Sequence, residues 1–353
     1  MDLEKRITAF SKLGNFLGSF QTNTEFEAEK FKMDQKWYTG FENCIYEAHI
    51  HNAWFTEIMI MHAIQGWAKN LTTNSLHQWL NTYNLHDNTA SKNVAVVMAG
   101  NLPLVGFHDF LSILISGHKI TAKLSSNDRH LLPFIAKVLT AIEPEFENKI
   151  TFTESKLPPF DAVIATGSNN TARYFEYYFK DKPHIIRKNR NGIAVLSGNE
   201  STSDLEGLAN DIFLFYGMGC RSVSKIYVPE NYDFDNFFNA MFSHKDIVNH
   251  DKYANNYDYN KAVYLMGLEP LLDNNFMILK KDLAISSPIA VVFYEHYSNL
   301  EDLKVQLTDQ KEQIQCTVST LLKENSISFG EAQKPQLWDY ADDVDTLAFL
   351  SKI

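Results

Sequence analysis

A cysteine on a glycine-flanked turn is the first candidate for chemistry in this chain. Gly217-Met218-Gly219-Cys220 follows an amphipathic segment and precedes the β-branched run SVSKIYV. The order of helix, glycines and strand is the reverse of a dinucleotide-binding fingerprint, so we reject that interpretation. The glycines leave both approaches to the thiol without side chains, and a nucleophilic cysteine needs such access. Two interpretations stay open: Cys220 is a nucleophile, or it is an inert buried cysteine beside the end of a helix.

Polar residues close three apolar segments that are typical of buried strands. Asn101 follows NVAVVMAG, and its amide can serve as an oxyanion donor or cap the next helix. Thr166, Gly167 and Ser168 close DAVIATGS, where amides and hydroxyls suit a pyrophosphate or form an ordinary capped turn. Lys123 closes KITAKLS and can bind a ribose or phosphate, or lie in solvent. Parallel sheets bind ligands at the carboxyl ends of their strands, so these residues are predicted to line one edge.

Metal ligation has little support in the sequence. His49 and His51 lie near Glu47, but positions i and i+2 do not share a face of a helix. The aspartates between positions 339 and 345 indicate an exposed acidic tail rather than a cation site. We therefore predict no metal.

Hydrophobic periodicity predicts the elements that position these residues. Apolar residues recur every three or four positions through the first 88 residues, which predicts helices, with a polar link or exposed helix end at Thr22–Gln35. From residue 93 to 198, short apolar runs alternate with helical segments, which predicts a parallel sheet with crossover helices. Four predicted helices follow the strand ends or precede the cysteine turn: Pro103–Gly117, Asn127–Ile142, Asn170–Phe179 and Asp204–Tyr216. A second αβ set follows the cysteine turn.

Composition limits the class of protein. The 353 residues are 45% hydrophobic and 21% charged, which allows sizeable cores and excludes global disorder. At about 150 residues per domain, this length favours two domains. A net charge of -11 without a Lys/Arg block argues against nucleic acid as a partner. Three cysteines cannot form a disulfide framework, and Cys44 and Cys316 are predicted to be core residues. With no secretory signal and no apolar run of about 18 residues, we expect a cytoplasmic α/β protein.

Taken together, these elements resemble the aldehyde dehydrogenase superfamily. Strands ending in N-x-P, in Lys and in T-G-S, then a G-x-G-C turn, occur here in that family's order. The segments VVMAGNLPLVGFHDFL, ATGSNNTARYF, FYGMGCRSVSKIYV and Pro335–Leu350 look like the LuxC-type acyl-CoA or acyl-protein reductases. The resemblance implies that Cys220 is the nucleophile and Asn101 the oxyanion donor. It also implies that the nicotinamide cofactor is bound by Lys123, Thr166, Gly167 and Ser168.

Departures from the family pattern shape the expected reaction. Ile186 stands where hydrolytic members carry a glutamate that activates water, and an apolar residue would spare an acyl-enzyme from hydrolysis. Ala284 stands in place of the glutamate of the E-x-F-G-P pattern, so the nicotinamide ribose is expected to be held loosely. Ser126, three residues after Lys123, replaces the Glu of NAD-preferring members. The resemblance therefore favours NADPH, with NADH as the alternative, and Lys123 and Arg129 would neutralise the 2′-phosphate.

The resemblance implies an aldehyde dehydrogenase-like α/β fold. We expect a helical N-terminus with a doubly wound cofactor-binding domain at 1–198 and a second αβ catalytic domain at 199–329. A tail at 330–353 is expected to pack back or to lie at an oligomer contact. The implied reaction reduces a fatty acyl thioester of CoA or of a protein to an aldehyde, and a homo-oligomer is expected. His108 and His184 are candidate general acids by position only.

Three other interpretations stay open. The first is an aldehyde oxidiser on the same fold, against which Ile186 argues. The second is a degenerate member that binds a nucleotide or an acyl carrier without turnover, as the missing carboxylates at positions 186 and 284 would allow. The third is a subunit that acts only within a complex, receiving acyl groups from partner proteins.

Overall fold

The computed structural model describes residues 1–20, 33–85, 90–322 and 326–353. Most of the predicted link at 22–35 therefore lies outside the described residues. The chain divides into two compact units, one made of Met1–Lys188 with Gln336–Ile353 and the other of Asn189–Pro335. Among the described helices, none combines the length and the apolar character that crossing a bilayer requires.

The first unit has a helical N-terminal region followed by alternating strands and helices. Its elements up to the unit boundary are α1 (Leu3–Gly18), α2 (Gln35–His51), α3 (Glu57–Asn70), α4 (Thr73–Leu80), β1 (Asn93–Val97), α5 (Phe107–Ile115), β2 (Lys119–Lys123), α6 (Leu131–Ile142), β3 (Ile150–Thr153), β4 (Ala162–Thr166), α7 (Asn169–Phe179) and β5 (His184–Arg187). The strands form a parallel sheet in the order β3-β2-β1-β4-β5. The chain thus builds outward from β1 in one direction and then from β4 in the other, which creates a switch point between them. The predicted α/β fold with a parallel sheet is confirmed.

Alternation along the central strands covers both faces of this sheet. Val94 and Val96 of β1 join the large core shared with the N-terminal helices, while Ala95 faces α7, where Phe175 and Phe179 pack. Successive side chains of a strand point to opposite faces, so a run of small and branched apolar residues buries both. Because β1 pairs in parallel with both β2 and β4, the carboxyl ends of these three strands lie along one edge.

The helix after β1 begins later than the sequence predicts. α5 begins at Phe107 with Gly106 as its N-cap, not at Pro103. Leu104 adopts a φ of 58°, in the left-handed region, and this conformation separates the Pro103 turn from the helix. Asn101 is consequently not the N-cap of α5, and the capping alternative for it is wrong.

The next crossover differs from prediction in a similar way. α6 begins at Leu131 rather than Asn127 and takes Pro133 into its first turn, where a missing N–H breaks no helical hydrogen bond. The sequence pattern also missed β3, a four-residue strand at the edge of the sheet. Residues 124–130 therefore form a loop at the carboxyl end of β2.

The second unit begins earlier than the predicted boundary at 198. Its elements are β6 (Asn191–Val195), α8 (Thr202–Phe213), β7 (Val223–Pro229), α9 (Asp235–Met241), α10 (Asp251–Met266), β8 (Leu271–Asp273), β9 (Ile278–Lys281), β10 (Val291–Tyr297), α11 (Leu300–Asp309) and β11 (Ile314–Val318). Its sheet has the order β11-β6-β7-β10-β9-β8, with β8 antiparallel to β9 and the other pairs parallel. β6 pairs with β7 and β11, so it belongs to this sheet and not to the first.

The C-terminal segment belongs to the first unit from Gln336 onward. It ends in α12 (Thr346–Leu350), which buries Leu347 and Leu350. Arg187 at the end of β5 donates two hydrogen bonds of 2.6 and 2.8 Å to Asp109 and a third of 3.1 Å to Thr346. All three side chains are almost inaccessible, so a buried charge-assisted pair ties the end of the chain to the sheet.

Candidate active site

The backbone before Cys220 takes an unusual path. The predicted helix Asp204–Tyr216 ends at Phe213, and Phe215, Tyr216 and Gly217 follow with φ values of 54°, 57° and 72°. Bulky residues rarely adopt left-handed conformations, and those that do are held there by their surroundings. Both aromatic side chains are buried, and the Tyr216 ring lies 4.5 Å from that of His250. Their packing stabilises the reversal that ends the helix and turns the chain toward Cys220.

Hydrogen bonds close the turn that carries Cys220. The Ser222 N–H donates to the Gly219 carbonyl (3.0 Å), and the Gly219 N–H donates back to the Ser222 hydroxyl (3.2 Å). Gln333 donates to that same hydroxyl from Nε2 (3.1 Å), and Ser222 is fully buried. Cys220 itself is exposed at the tip of this turn. The expectation that Cys220 is buried is therefore wrong, and its role as the nucleophile stays a prediction.

A buried carboxylate supports the same turn from behind. Asp211 on α8 accepts hydrogen bonds from the backbone N–H groups of Gly330 (2.7 Å) and Ala332 (2.9 Å). The Ala332 carbonyl in turn accepts a hydrogen bond from Nε of Arg221, the residue after Cys220 (2.5 Å). Burial raises the pKa of Asp211 to about 6, against the opposing effect of its two N–H donors.

A small cavity lies beside the left-handed turn. Its volume is about 20 Å³, and its wall includes Phe213, Gly217, Tyr253, Met277 and Val292. That volume is close to what one water molecule needs. An acyl chain cannot enter this cavity without movement of its apolar lining.

In the first unit, Asn101 lies on the loop that leads out of β1. Asn101 is exposed, and the loop is attached to the neighbouring strand end by a hydrogen bond from the Met98 N–H to the Lys123 carbonyl (3.1 Å). Further along, the Leu104 N–H donates to Oδ2 of Asp128 (3.2 Å), a buried carboxylate of the β2–α6 loop. Burial raises the pKa of Asp128 to about 6. The carboxylate thus holds the left-handed residue that separates the Asn101 turn from α5.

The turn after β4 forms a helix cap. Thr166 is the last residue of β4, and Ser168 is the N-cap of α7, its hydroxyl accepting from the Thr171 N–H (3.3 Å). A Cβ on Gly167 would lie 3.0 Å from Thr171, so glycine lets the turn approach its own helix. The capped-turn interpretation is confirmed for Ser168, and the start of α7 faces the same sheet edge as Asn101.

The first sheet therefore brings part of the predicted site together. Asn101 and the Thr166–Ser168 turn follow β1 and β4, which flank the switch point, and Lys123 ends β2, the neighbour of β1. Ser126 is exposed on the loop after Lys123. This is the place where doubly wound sheets bind dinucleotides, and the residues present suit one: a half-buried lysine, an amide and a helix N-terminus. Cys220 belongs to the other unit.

Neither candidate general acid suits that role. His108 lies among the rings of Trp67, Trp79 and Tyr340, and its Nε2 is 2.9 Å from the Leu337 carbonyl. Burial lowers its pKa, so it is a neutral residue that anchors the C-terminal segment. His184 begins β5, at the opposite end of that strand from the edge that holds Asn101. Both candidacies by position are wrong.

The two positions that lack the family's glutamates lie in different surroundings. Ile186 is part of β5, half-buried and paired in register with Ala165. Ala284 is exposed on a loop whose neighbouring carbonyls accept hydrogen bonds from Lys225 and Ser224 of β7. Neither position offers a carboxylate.

Sequence reasoning missed the supporting residues. Asp128 and Asp211 appear in the sequence as ordinary acidic residues, and only Asp211 had a local signal, since it lies between Leu208 and Ile212 on the apolar face of α8. His51, considered only as a metal ligand, contacts the Ser126 carbonyl. In the described residues, no group of three or more His, Cys, Asp or Glu side chains could hold a metal ion.

One family model and a group of solved aldehyde dehydrogenase structures match this chain. The family model described as acyl-CoA reductase (LuxC) matches residues 69–328. No curated protein matches the chain. Aldehyde dehydrogenase 21 from Physcomitrella patens, in complex with succinate, is 12% identical over 90% of this chain and 73% of its own, with a TM-score of 0.62.

Two further solved structures are similar. An aldehyde dehydrogenase from Mycobacterium tuberculosis complexed with NAD+ is 12% identical over 90% of this chain and 73% of its own, with a TM-score of 0.60. A mutant of aldehyde dehydrogenase C from Pseudomonas syringae, complexed with NAD+ and octanal, is 8% identical over 90% and 72%, with a TM-score of 0.62. At such identities the likeness shows the fold alone, and the predicted aldehyde dehydrogenase-like fold is confirmed. Because the family model covers well over half of the residues, the chain belongs to the LuxC family of acyl-CoA reductases.

Proposed function

We propose that this chain reduces a fatty acyl thioester to the aldehyde with NADPH, through a thioester on Cys220. The observation that carries the proposal is the exposed thiol on a closed, internally hydrogen-bonded turn in a LuxC family member. Such a turn presents sulfur to a planar acyl group while keeping its position fixed. Solved relatives by fold were crystallised with NAD+, which supports a nicotinamide cofactor here.

Cys220 performs the transfer chemistry. Its thiolate attacks the acyl carbonyl, the carbon–sulfur bond to CoA or to a carrier thiol breaks, and the acyl group remains on Sγ. The amide of Asn101 and the backbone N–H of Cys220 would stabilise the negative oxygen of each tetrahedral intermediate. When bound, the cofactor supplies a hydride to the acyl carbon. The resulting thiohemiacetal oxyanion then collapses: its carbon–sulfur bond breaks, aldehyde is released and the Cys220 thiolate is returned.

The carboxyl edge of the first sheet would hold the cofactor. Lys123 and Ser126 would contact the adenosine ribose and its 2′-phosphate, and the Thr166–Ser168 turn would contact the pyrophosphate at the start of α7. Ile186 gives no base to activate water, so the acyl-enzyme would persist until it is reduced. The same proposal places the enzyme in the cytoplasm as a homo-oligomer, with acyl-CoA or an acyl-protein as donor.

The test is an intact mass of the protein after incubation with medium- or long-chain acyl-CoA without NADPH. Wild type is expected to gain one acyl group, Cys220→Ser to gain none, and NADPH to erase the gain. Cys316→Ser is the matched control and should acylate like wild type. The third thiol should not react, because burial raises the pKa of Cys44 to about 12.

Each of the other possible outcomes would support a different function for this chain. No adduct with any chain length would overturn the CoA-donor version and favour a protein-bound donor or a binding module without turnover. An adduct that also forms on Cys220→Ser would overturn the assignment of the nucleophile. Conversion of an aldehyde to the acid would favour an oxidiser.

A further inference from the structure

The end of α2 reaches the loop at the carboxyl end of β2. His51, the last residue of α2, places Nε2 2.6 Å from the Ser126 carbonyl oxygen, while its Nδ1 lies 3.4 Å from Nη2 of Arg129. Beside it, Asn52 donates from Nδ2 to the Asn127 carbonyl (3.4 Å). The N-terminal helical region thus contacts three residues of the loop that follows Lys123.

The partners of His51 determine its tautomer. A carbonyl oxygen only accepts hydrogen bonds, so Nε2 must carry the proton. A guanidinium group only donates, so Nδ1 must present its lone pair to Arg129. In this arrangement the imidazole connects the Ser126 carbonyl to the Arg129 side chain.

Lys123 comes directly before this loop, and Arg129 lies near its end. Within the described ranges, neither Lys123 nor Arg129 forms an ion pair, although the chain as a whole carries a net charge of -11. Glu47, one turn before the end of α2, has its Oε2 3.5 Å from Nδ1 of His130. An arginine with a fixed fork and no carboxylate partner suits a phosphate group.

The loop also lies against the end of β1. A Cβ on Gly100 would overlap the Ser125 side chain, so the two loops are in direct contact next to Asn101. The loop that His51 holds therefore borders the switch point where a dinucleotide would bind.

We propose that His51 orients Arg129 toward the 2′-phosphate of NADPH, so that α2 determines the preference for NADPH over NADH. This inference rests on the cofactor part of the proposed function. His51 is a positioning residue here, since it acts through Arg129. A merely structural His51 would hold the loop and would affect both cofactors equally, which separates the two roles.

The test uses two nucleotide fragments that differ in the 2′-phosphate, 2′,5′-ADP and 5′-AMP, with binding to the full chain measured by calorimetry. One charge-assisted contact to the phosphate predicts that wild type binds 2′,5′-ADP about 10- to 100-fold more tightly. Arg129→Gln is expected to remove most of that difference. His51→Leu is expected to weaken 2′,5′-ADP about 10-fold and to leave 5′-AMP nearly unchanged.

The conservative variant gives the decisive comparison. His51→Gln should restore 2′,5′-ADP binding, because its amide can donate to the Ser126 carbonyl and accept from Arg129. His77→Leu, at a histidine on α4, is the control and should bind like wild type. Equal weakening of both fragments by His51→Leu, or no preference in wild type, would overturn the proposal.

Failure here and failure of the proposed reaction are distinguishable. If the acyl adduct forms on Cys220 but wild type shows no preference for 2′,5′-ADP, only the role of His51 and Arg129 is overturned. If the preference follows His51 but no adduct forms, the nucleotide site stands and the acyl-CoA reaction does not.

Discussion

A buried aspartate supports each of the two candidate catalytic turns, the Asn101 turn and the Cys220 turn. The support is direct in the first turn and passes through an intermediate residue in the second. In the first unit, Asp128 accepts directly from Leu104, three residues after Asn101. In the second, Asp211 binds the backbone at Ala332, and Ala332 binds the side chain of Arg221 next to Cys220. Burial raises the pKa of both carboxyl groups to about 6.

The difference follows from what each turn must expose. The Asn101 turn contains one left-handed residue other than glycine, Leu104, and a single acceptor holds it. The Cys220 turn follows three consecutive left-handed residues, and its tip must stay open, so its support comes from Ser222 and Arg221 on the far side of the thiol. Polar groups that face inward can thus hold a reactive group that faces outward.

The largest expected effect is the loss of activity when Asn101 is replaced. Asn101→Ala should lower the rate of acyl-CoA reduction about 10²- to 10³-fold, the usual effect of losing one oxyanion donor. Thermal unfolding should stay close to wild type because the side chain is exposed. Asn15→Ala, at an exposed asparagine on α1, is the control. An unchanged rate would contradict the role of Asn101, whatever the fate of Cys220.

A smaller effect is expected on the pH dependence of stability when Asp128 or Asp211 is replaced. A carboxyl group whose pKa is raised on folding binds more protons in the folded state than in the unfolded state. Its stabilising contribution to the free energy of unfolding is therefore fully present below about pH 4 and is lost as the pH rises through about 6. Asparagine does not titrate, so Asp128→Asn and Asp211→Asn should not show this loss. The free energy of unfolding of each variant, measured relative to wild type, should therefore rise by roughly 2 kcal/mol from pH 4 to pH 7. Urea unfolding of the three proteins at several pH values measures this.

The comparison with each variant isolates one carboxyl group. Other acidic residues titrate in the opposite direction, such as Asp282, whose pKa the hydrogen bond from Lys280 lowers. If the free energies of unfolding of wild type and variant change with pH in parallel over this range, burial does not shift the pKa of the aspartate concerned.

The smallest effect concerns the left-handed run before Cys220. Gly217 has a φ of 72°, so Gly217→Ala should lower the free energy of unfolding by about 1 kcal/mol. Gly66→Ala is a matched control of opposite sign, because Gly66 lies inside α3 with open space around it and alanine favours a helix by up to about 1 kcal/mol. Chemical denaturation of both variants measures the pair. Equal stabilisation by both would contradict the strain assigned to the turn.

Much of the fold could be predicted because its signals are local. A run such as NVAVV reads as a buried strand since β-branched residues suit strands and both faces of a parallel sheet are covered. The turn at Gly217–Cys220 could be located because glycines mark a reversal. The start of α5 could not, since Asp128 holds the φ of Leu104 from another loop.

The sequence by itself determined the alternation of strands and helices, the polar residues at the strand ends and the thiol on its turn, because each depends on neighbours in the chain. Tertiary structure decided which strand joins which sheet, as β6 does in the second unit. It also decided that His108 binds the C-terminal segment, that His51 contacts Arg129, and that Asp128 and Asp211 support the two turns. These contacts join residues far apart in the chain, and their free energy exists only when packing excludes water around them.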